Sequence, residues 1–241
     1  MLDFVQQNLP LYLQGAWITA QLALFSCSIG FVFAVPLALM RLSEIRVLFA
    51  LSTAYVFFFR GTPLLAQIFL IYYGSGQFRP ALDSVGLWQF FREPMFCALL
   101  SLTLNTVAYT SEILRGAIQS IPKGEIEAAK ALGLRFRARL RLIVLPRALR
   151  LSWPAYTNEV VYQIQATSLV SIITVMDITG VARKIGSRDL SFYESFSLAA
   201  LFYLIIVYGF ILVAKRIEVR LNRYHTFDAP KRSIAPMGLM K

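Results

Sequence analysis

The chain has 241 residues, of which 57% are hydrophobic and only 15% charged, and its mean hydropathy is +0.61. A soluble domain of this composition would expose large apolar patches and aggregate, which excludes an ordinary soluble globular protein. The formal net charge of +11 raises nucleic-acid binding as a class, but the placement of the basic residues argues against it.

No charged residue lies between Phe4 and Met40. About 20 apolar residues cross a bilayer, so a long first span is predicted at 13–40. The first ten residues carry Asp3 and no Lys or Arg, and the apolar run is too long for a signal-peptide core. The first span is therefore expected to act as an uncleaved anchor. Val47–Phe59 is apolar, Arg60-Gly61-Thr62-Pro63 breaks it, and Leu64–Tyr73 resumes. This predicts one second span with an interruption, because Gly and Pro loosen the helical ladder. Pro94–Leu114 is the third predicted span and Leu151–Met176 the fourth. The fourth is the most polar, with Asn158, Glu159, Gln163, Gln165, Thr167 and Ser168. Ser195–Ala214 is the fifth. The expected fold class is an all-α, polytopic membrane protein of five transmembrane helices. It forms a single domain, 1–241, with a loop at 117–147 and a tail at 215–241 in water.

Five spans place the termini on opposite sides, and the Lys/Arg distribution decides which is which. Loop 41–46 has Arg41 and Arg46, loop 115–150 has nine basic residues, and tail 215–241 has seven. These 18 of the 24 basic residues share one side, whereas basic residues on the other side are offset by nearby acids. The N-terminus is therefore expected outside and the C-terminus in the cytoplasm. The basic surplus reads as a topology signal, with no nucleic-acid partner.

A charge at mid-bilayer costs about 2.5–3.5 kcal/mol on insertion scales, so Arg60, Glu112 and Glu159 need a reason to be there. Asn105, Tyr109, Glu112 and Gly116 recur at helical spacing and form one stripe on the third span. Asn158, Tyr162, Gln165 and Leu169 form a similar stripe on the fourth, with Glu159 and Gln163 beside it. Such stripes lack partners in lipid and should face protein or a water-filled path. One reading makes them a substrate path, with Glu159 the counter-charge for a cationic substrate. The other makes Glu112 a structural ion-pair partner, of Arg60 or of Arg115 at i+3.

Cys27 and Cys97 lie in apolar runs and read as small core residues, with no disulfide or metal. His225 has no His, Cys or carboxylate partner at ligand spacing, so no metal is expected. The 11 Tyr and 19 Phe read as span packing and interfacial belt. No G-x-x-x-x-G-K-[ST] occurs, so the chain is not expected to bind ATP by a P-loop or to be an enzyme, and no cofactor is expected.

Between the third and fourth spans, Ile121-Pro122-Lys123-Gly124 is a predicted turn. Glu125–Leu132 is a predicted helix with acids in its first turn, which Gly133 ends or opens to a partner's backbone. Phe136–Leu145 is a predicted basic helix closed by Pro146. Glu127, Ala128 and Ala129 would form a short-side-chain face with one charged handle, suited to a groove on another protein.

Glu127-Ala128-Ala129, Gly133 and Ile143-Val144-Leu145-Pro146 resemble the E-A-A loop of permease subunits of ATP-binding-cassette importers. Phe59-Arg60-Gly61-Thr62-Pro63-Leu64-Leu65 is similar to the R-G-T-P-L-L motif of polar amino-acid importers. The Asn105, Tyr109, Glu112, Arg115-Gly116 pattern resembles their N-x-x-x-Y-x-x-E-x-x-R-G, and Thr167-Ser168-Leu169 their T-S-L. Ala166-Thr-Ser-Leu and Asp177-Ile-Thr-Gly180 look like the histidine/lysine/arginine or opine type. Many such relatives have Lys where this chain has Gln165, a departure that would favour cationic or bulky substrates. The resemblance covers roughly 12–215 and implies the type I importer permease (MetI-like) fold in a bacterial inner membrane. It implies Glu127, Ala128, Ala129, Gly133 and Pro146 as the ATPase-coupling set, with Arg60 and Pro63 structural. It also implies two cytoplasmic ATPases, a second permease subunit, a periplasmic binding protein and a polar or basic amino acid or opine as substrate. The alternative is an ion-gradient-driven secondary transporter, which usually shows internal repeats. None is visible here, and five spans do not halve.

Overall fold

The computed structural model describes residues 2–222. His225 and most of the basic tail lie outside them. Among the described residues there is no strand. The helices are α1 (Leu2–Met40), α2 (Arg46–Gly61), α3 (Leu64–Ser75), α4 (Arg79–Ser84), α5 (Trp88–Phe91) and α6 (Pro94–Gln119). They continue with α7 (Lys123–Ala131), α8 (Phe136–Arg139), α9 (Leu145–Ala166), α10 (Ile178–Asp189) and α11 (Phe192–Asn222).

Three helices, α1, α6 and α11, are long and apolar enough to cross a membrane, and the total is five if each of two bent pairs is one span. Three of the five expected spans are thus single unbroken helices, and the second and fourth correspond to the two bent pairs. α1 begins at Leu2 rather than near residue 13, because Leu9–Leu13 continues an uncharged helical run.

The interruption at 60–63 is a corner. α2 and the helix from Leu64 meet at 101°. Pro63 disfavours helix at the residue before it, and Thr62 is extended (φ −112°, ψ 145°), as is Pro63 (φ −62°, ψ 134°). Two extended residues in a row redirect the chain. The corner is braced from inside. Gln67 Nε2 lies 2.9 Å from the Phe59 carbonyl, 3.1 Å from the Thr62 carbonyl and 2.9 Å from Thr62 Oγ1. Asn105 Nδ2 on α6 donates to the Phe59 carbonyl and to Gln67 Oε1, both at 3.3 Å.

α6 is the central post. Of its most apolar 18 residues 67% are buried, against 11% for α11. α1 crosses it closely at Gly30, where an added Cβ would sit 2.7 Å from Thr106 Cγ2. Gln163 Nε2 on α9 donates to Ser26 Oγ (3.2 Å) and to the Leu102 carbonyl (3.1 Å), tying α1, α6 and α9 together. A Gly30→Val protein is expected to lose about 1–3 kcal/mol of stability by overpacking this crossing. Thermal unfolding of the detergent-solubilised protein measures it, and an unchanged midpoint would refute the tight crossing.

Pro146 does not close a helix. Helical structure runs unbroken from Phe136 to Ile173, through a π turn at Leu140–Val144 and a 3₁₀ segment at Thr167–Ile173. Within the π turn the Leu145 N–H reaches back five residues to the Leu140 carbonyl. Such a one-turn widening absorbs the register change where Pro146, at the first turn of α9, has no N–H to give. The expected fourth span, 151–176, thus starts inside a longer helix and ends in 3₁₀ structure. Thr174 then adopts left-handed backbone (φ 68°) and the chain bends 46° into α10. Asp177 caps α10 by accepting from the Gly180 N–H at 2.9 Å, and Tyr203 on α11 donates to its other oxygen at 2.8 Å.

Candidate functional site: a polar face and the α7 turn

Glu112 sits at the hub of an ion cluster. Arg115 binds it through two nitrogens, Nε to Oε1 at 2.9 Å and Nη2 to Oε2 at 3.1 Å. Arg41, from the end of α1, reaches Oε1 at 3.0 Å, and Arg60 lies 3.7 Å from Oε2. Both pairings expected from sequence are present, and Arg41 is a third that sequence reasoning assigned only to a loop. Its signal was available: Arg41 is the first charge after 37 uncharged residues.

Arg60 also stacks over the Tyr109 ring at 5.0 Å, and Tyr109 lies 6.4 Å from Tyr162 on α9. Arg60, Tyr109 and Tyr162 thus line one polar face between α2, α6 and α9. Asn158 and Tyr162 are exposed on it, while Glu159 is buried at 8% exposure. Among the described residues Glu159 Oε1 has no hydrogen-bond partner.

The other stripe residues separate. Asn105 is buried and braces the α2–α3 corner. Gln163 is buried among α1, α6 and α9. Gln165 is exposed and lines a groove with Tyr203 and Tyr208 of α11. Leu169 packs into the α1–α3–α6 core, because the change to 3₁₀ structure at Thr167 ends the α-helical register. Ser168 is half-buried in that segment.

The stretch between α6 and α9 folds largely as its residues require. α7 ends at Gly133, whose φ of +72° is the left-handed conformation. The Gly133 N–H donates to the Lys130 carbonyl at 2.9 Å and the Leu134 N–H to the Ala129 carbonyl at 3.1 Å. This pair of bonds is the Schellman cap, which glycine permits without steric cost. A Cβ at Gly133 would meet nothing within 4 Å, so backbone conformation is what requires glycine here.

Glu127 and Ala128 are exposed, but Ala129 is buried at 2%. The expected three-residue face is therefore corrected. Consecutive helix positions lie about 100° apart, so three in a row cannot share one face. Ile126 packs against Ala117, Ile121, Val144 and Ala148, and the Arg147 Nη2–Glu125 Oε1 contact at 3.4 Å ties α7 to the start of α9. Leu132 and Phe136, at 81% and 65% exposure, stand uncovered beside it. Pro146 is exposed on the first turn of α9.

Residues 26–223 match the family described as the binding-protein-dependent transport system inner membrane component. The chain belongs to that family. It is 50% identical over 207 residues, 86% of each chain, to the nopaline transport system permease protein NocM of Agrobacterium fabrum. It is 41% identical over 206 residues to the histidine/lysine/arginine/ornithine transport system permease protein HisM of Escherichia coli K12, covering 86% of this chain and 87% of that one. Its fold matches a crystal structure of an amino acid ABC transporter with histidines, with TM-score 0.78 and 29% identity over 91% of this chain and 97% of that one. The permease is thus an inner-membrane subunit with the ABC-importer permease fold.

Proposed function

We propose that this permease forms part of the translocation path for a polar or basic amino acid, or an opine, in an ATP-driven importer. The observation that carries this reading is the polar face of Tyr109, Tyr162 and Asn158 leading to Glu159, a buried carboxylate with one unpartnered oxygen. An unpaired buried acceptor costs about 1–3 kcal/mol, and more when charged. A cationic substrate group would satisfy it. The substrate classes named for the nopaline and histidine/lysine/arginine/ornithine relatives are consistent with such a group.

A second permease subunit would close the open side of the face. Two cytoplasmic ATPases would engage α7 through Glu127, Ala128 and the turn at Gly133. A periplasmic binding protein would deliver substrate to the outer end. The same reading places the N-terminus outside and the C-terminus in the cytoplasm, following the basic residues. ATP-driven closure of the ATPases would then alternate access to the face.

The test is Glu159→Gln in vesicles holding the whole importer, with ATPase recovery and membrane abundance measured alongside. KM for a basic amino acid is expected to rise about tenfold, the effect of losing ~1.4 kcal/mol of binding, with abundance and ATPase recovery unchanged. Parallel loss of uptake and abundance would mean that Glu159 serves folding alone.

A further inference from the structure

We propose that Arg60 is the substrate-carboxylate anchor of the polar face, and that a cavity beside it receives that carboxylate. The assignment rests on the proposed transport function and names the pole opposite Glu159.

The ion cluster is unbalanced. One carboxylate, Glu112, faces three guanidiniums. Its lone pairs go first to Arg115, with two contacts, and to Arg41, with one. Arg60 is left at 3.7 Å, beyond good hydrogen-bond distance, with 43% of its side chain exposed. It also stacks over the Tyr109 ring, 5.0 Å from the ring centroid. A cation held by a ring face and a distant carboxylate keeps most of its five donors free.

Those donors border a cavity of about 390 Å³ lined by Arg41, Thr53, Val56, Arg60, Tyr109 and Glu112. Two further polar atoms of the lining residues have no partner among the described residues: Thr53 Oγ1 and Arg41 Nε. Thr53 Oγ1 can donate to an anion, as can the guanidiniums. The lining therefore carries a surplus of donors and of positive charge, and its shortage is of acceptor oxygens. A carboxylate supplies these and suits the planar guanidinium in a two-point pair.

The cavity joins the face at Tyr109, from which Tyr162 leads toward Glu159. A molecule with a carboxylate at one end and a cationic group at the other would find a complementary pole for each. Its middle would lie along the two tyrosine rings. Amino acids and opines carry both groups, and opines carry additional carboxylates. Arg60 is therefore a specificity residue, and its surplus charge favours substrates that keep their carboxylate.

The experiment measures equilibrium binding of L-arginine, nopaline and agmatine to the detergent-purified importer without its binding protein. Agmatine is arginine without the carboxylate. The native complex is expected to bind arginine or nopaline better than agmatine. In Arg60→Gln that preference should fall by at least about tenfold, because the anion loses a charge-assisted partner. Arg60→Lys should retain part of the preference. Thr53→Val, close to isosteric and removing an atom that bonds nothing among the described residues, should weaken arginine and leave agmatine unaffected. It tests the cavity independently should Arg60→Gln fail to assemble. A preference unchanged in both Arg60→Gln and Thr53→Val would overturn the carboxylate site while leaving the transport class standing. Failure of the native complex to bind any of the three would overturn both.

Discussion

Replacement of Glu112 by alanine is expected to produce the largest loss of stability of any single substitution in the ion cluster. Its side chain is only 16% exposed and holds Arg115 through two short bonds and Arg41 through one. Removing it leaves Arg41 and Arg115, at 15% and 27% exposure, facing each other with no counter-charge. Breaking a largely buried pair by deleting one partner costs about 3–5 kcal/mol, most of it the stranded charge. Arg60 is more exposed and at longer range, so it adds little to that figure. Glu112→Gln keeps the shape and two of the hydrogen-bonding positions and should lose less. A second change, Arg115→Gln on the Glu112→Gln background, should restore part of the loss, because the two substitutions remove opposite charges from one network. Thermal unfolding of the solubilised protein and its abundance in the membrane report both effects. If the alanine variant melted with the native protein, Glu112 could not be the structural hub, and its carboxylate would have to act on substrate instead.

Gly133→Val should have the largest effect on transport with the least effect on membrane insertion. The left-handed backbone at φ +72° costs an ordinary L residue about 1–2 kcal/mol, and a β-branched one more. Relief of that strain breaks the cap bonds from Gly133 and Leu134 and re-aims the chain that leaves α7. Shifting a loop equilibrium by ~1.4 kcal/mol changes its populations about tenfold, so uptake should fall by about that factor. Asp tolerates left-handed backbone better than valine, so Gly133→Asp should be milder if strain is the cause. A solvated loop of no consequence would leave uptake unchanged in both variants, and that result would remove the docking role proposed for Glu127 and Ala128.

Much of this molecule was legible in its sequence because the membrane simplifies the problem. Uncharged runs must be helices, and the basic residues of loop 115–150 mark the stretch that holds α7. The cap at Gly133 followed from residue type and spacing. The corner at Arg60–Pro63 was visible as a break, but its 101° angle was not. That angle depends on two extended residues and on Gln67 and Asn105 reaching across from other turns. Asn105 and Gln163 read as stripe residues, yet each satisfies a neighbouring backbone. Periodicity reports which face a residue is on and not what that face meets. Arg41 read as a loop charge because only the packed bundle brings the end of α1 to Glu112. Pro146 misled for a local reason, since a proline at a first helical turn starts a helix as readily as it stops one. The π turn before it left no mark in the residue pattern.

The unbroken run from Phe136 to Ile173 has a mechanical meaning. Its 38 residues (136–173), at roughly 1.5 Å each, make a rod about 57 Å long that begins beside α7 and ends at the left-handed Thr174. Because Glu125 is fastened to Arg147 near the base of this rod, a push on α7 need not pass through a slack tether. A tilt of about 5° at the base would sweep the far tip by roughly 5 Å over that length. The compliant points along the shaft are the π turn and Pro154, where the regular ladder is interrupted. The architecture thus resembles a crank, with its handle at α7 and its far end at the joint before α10.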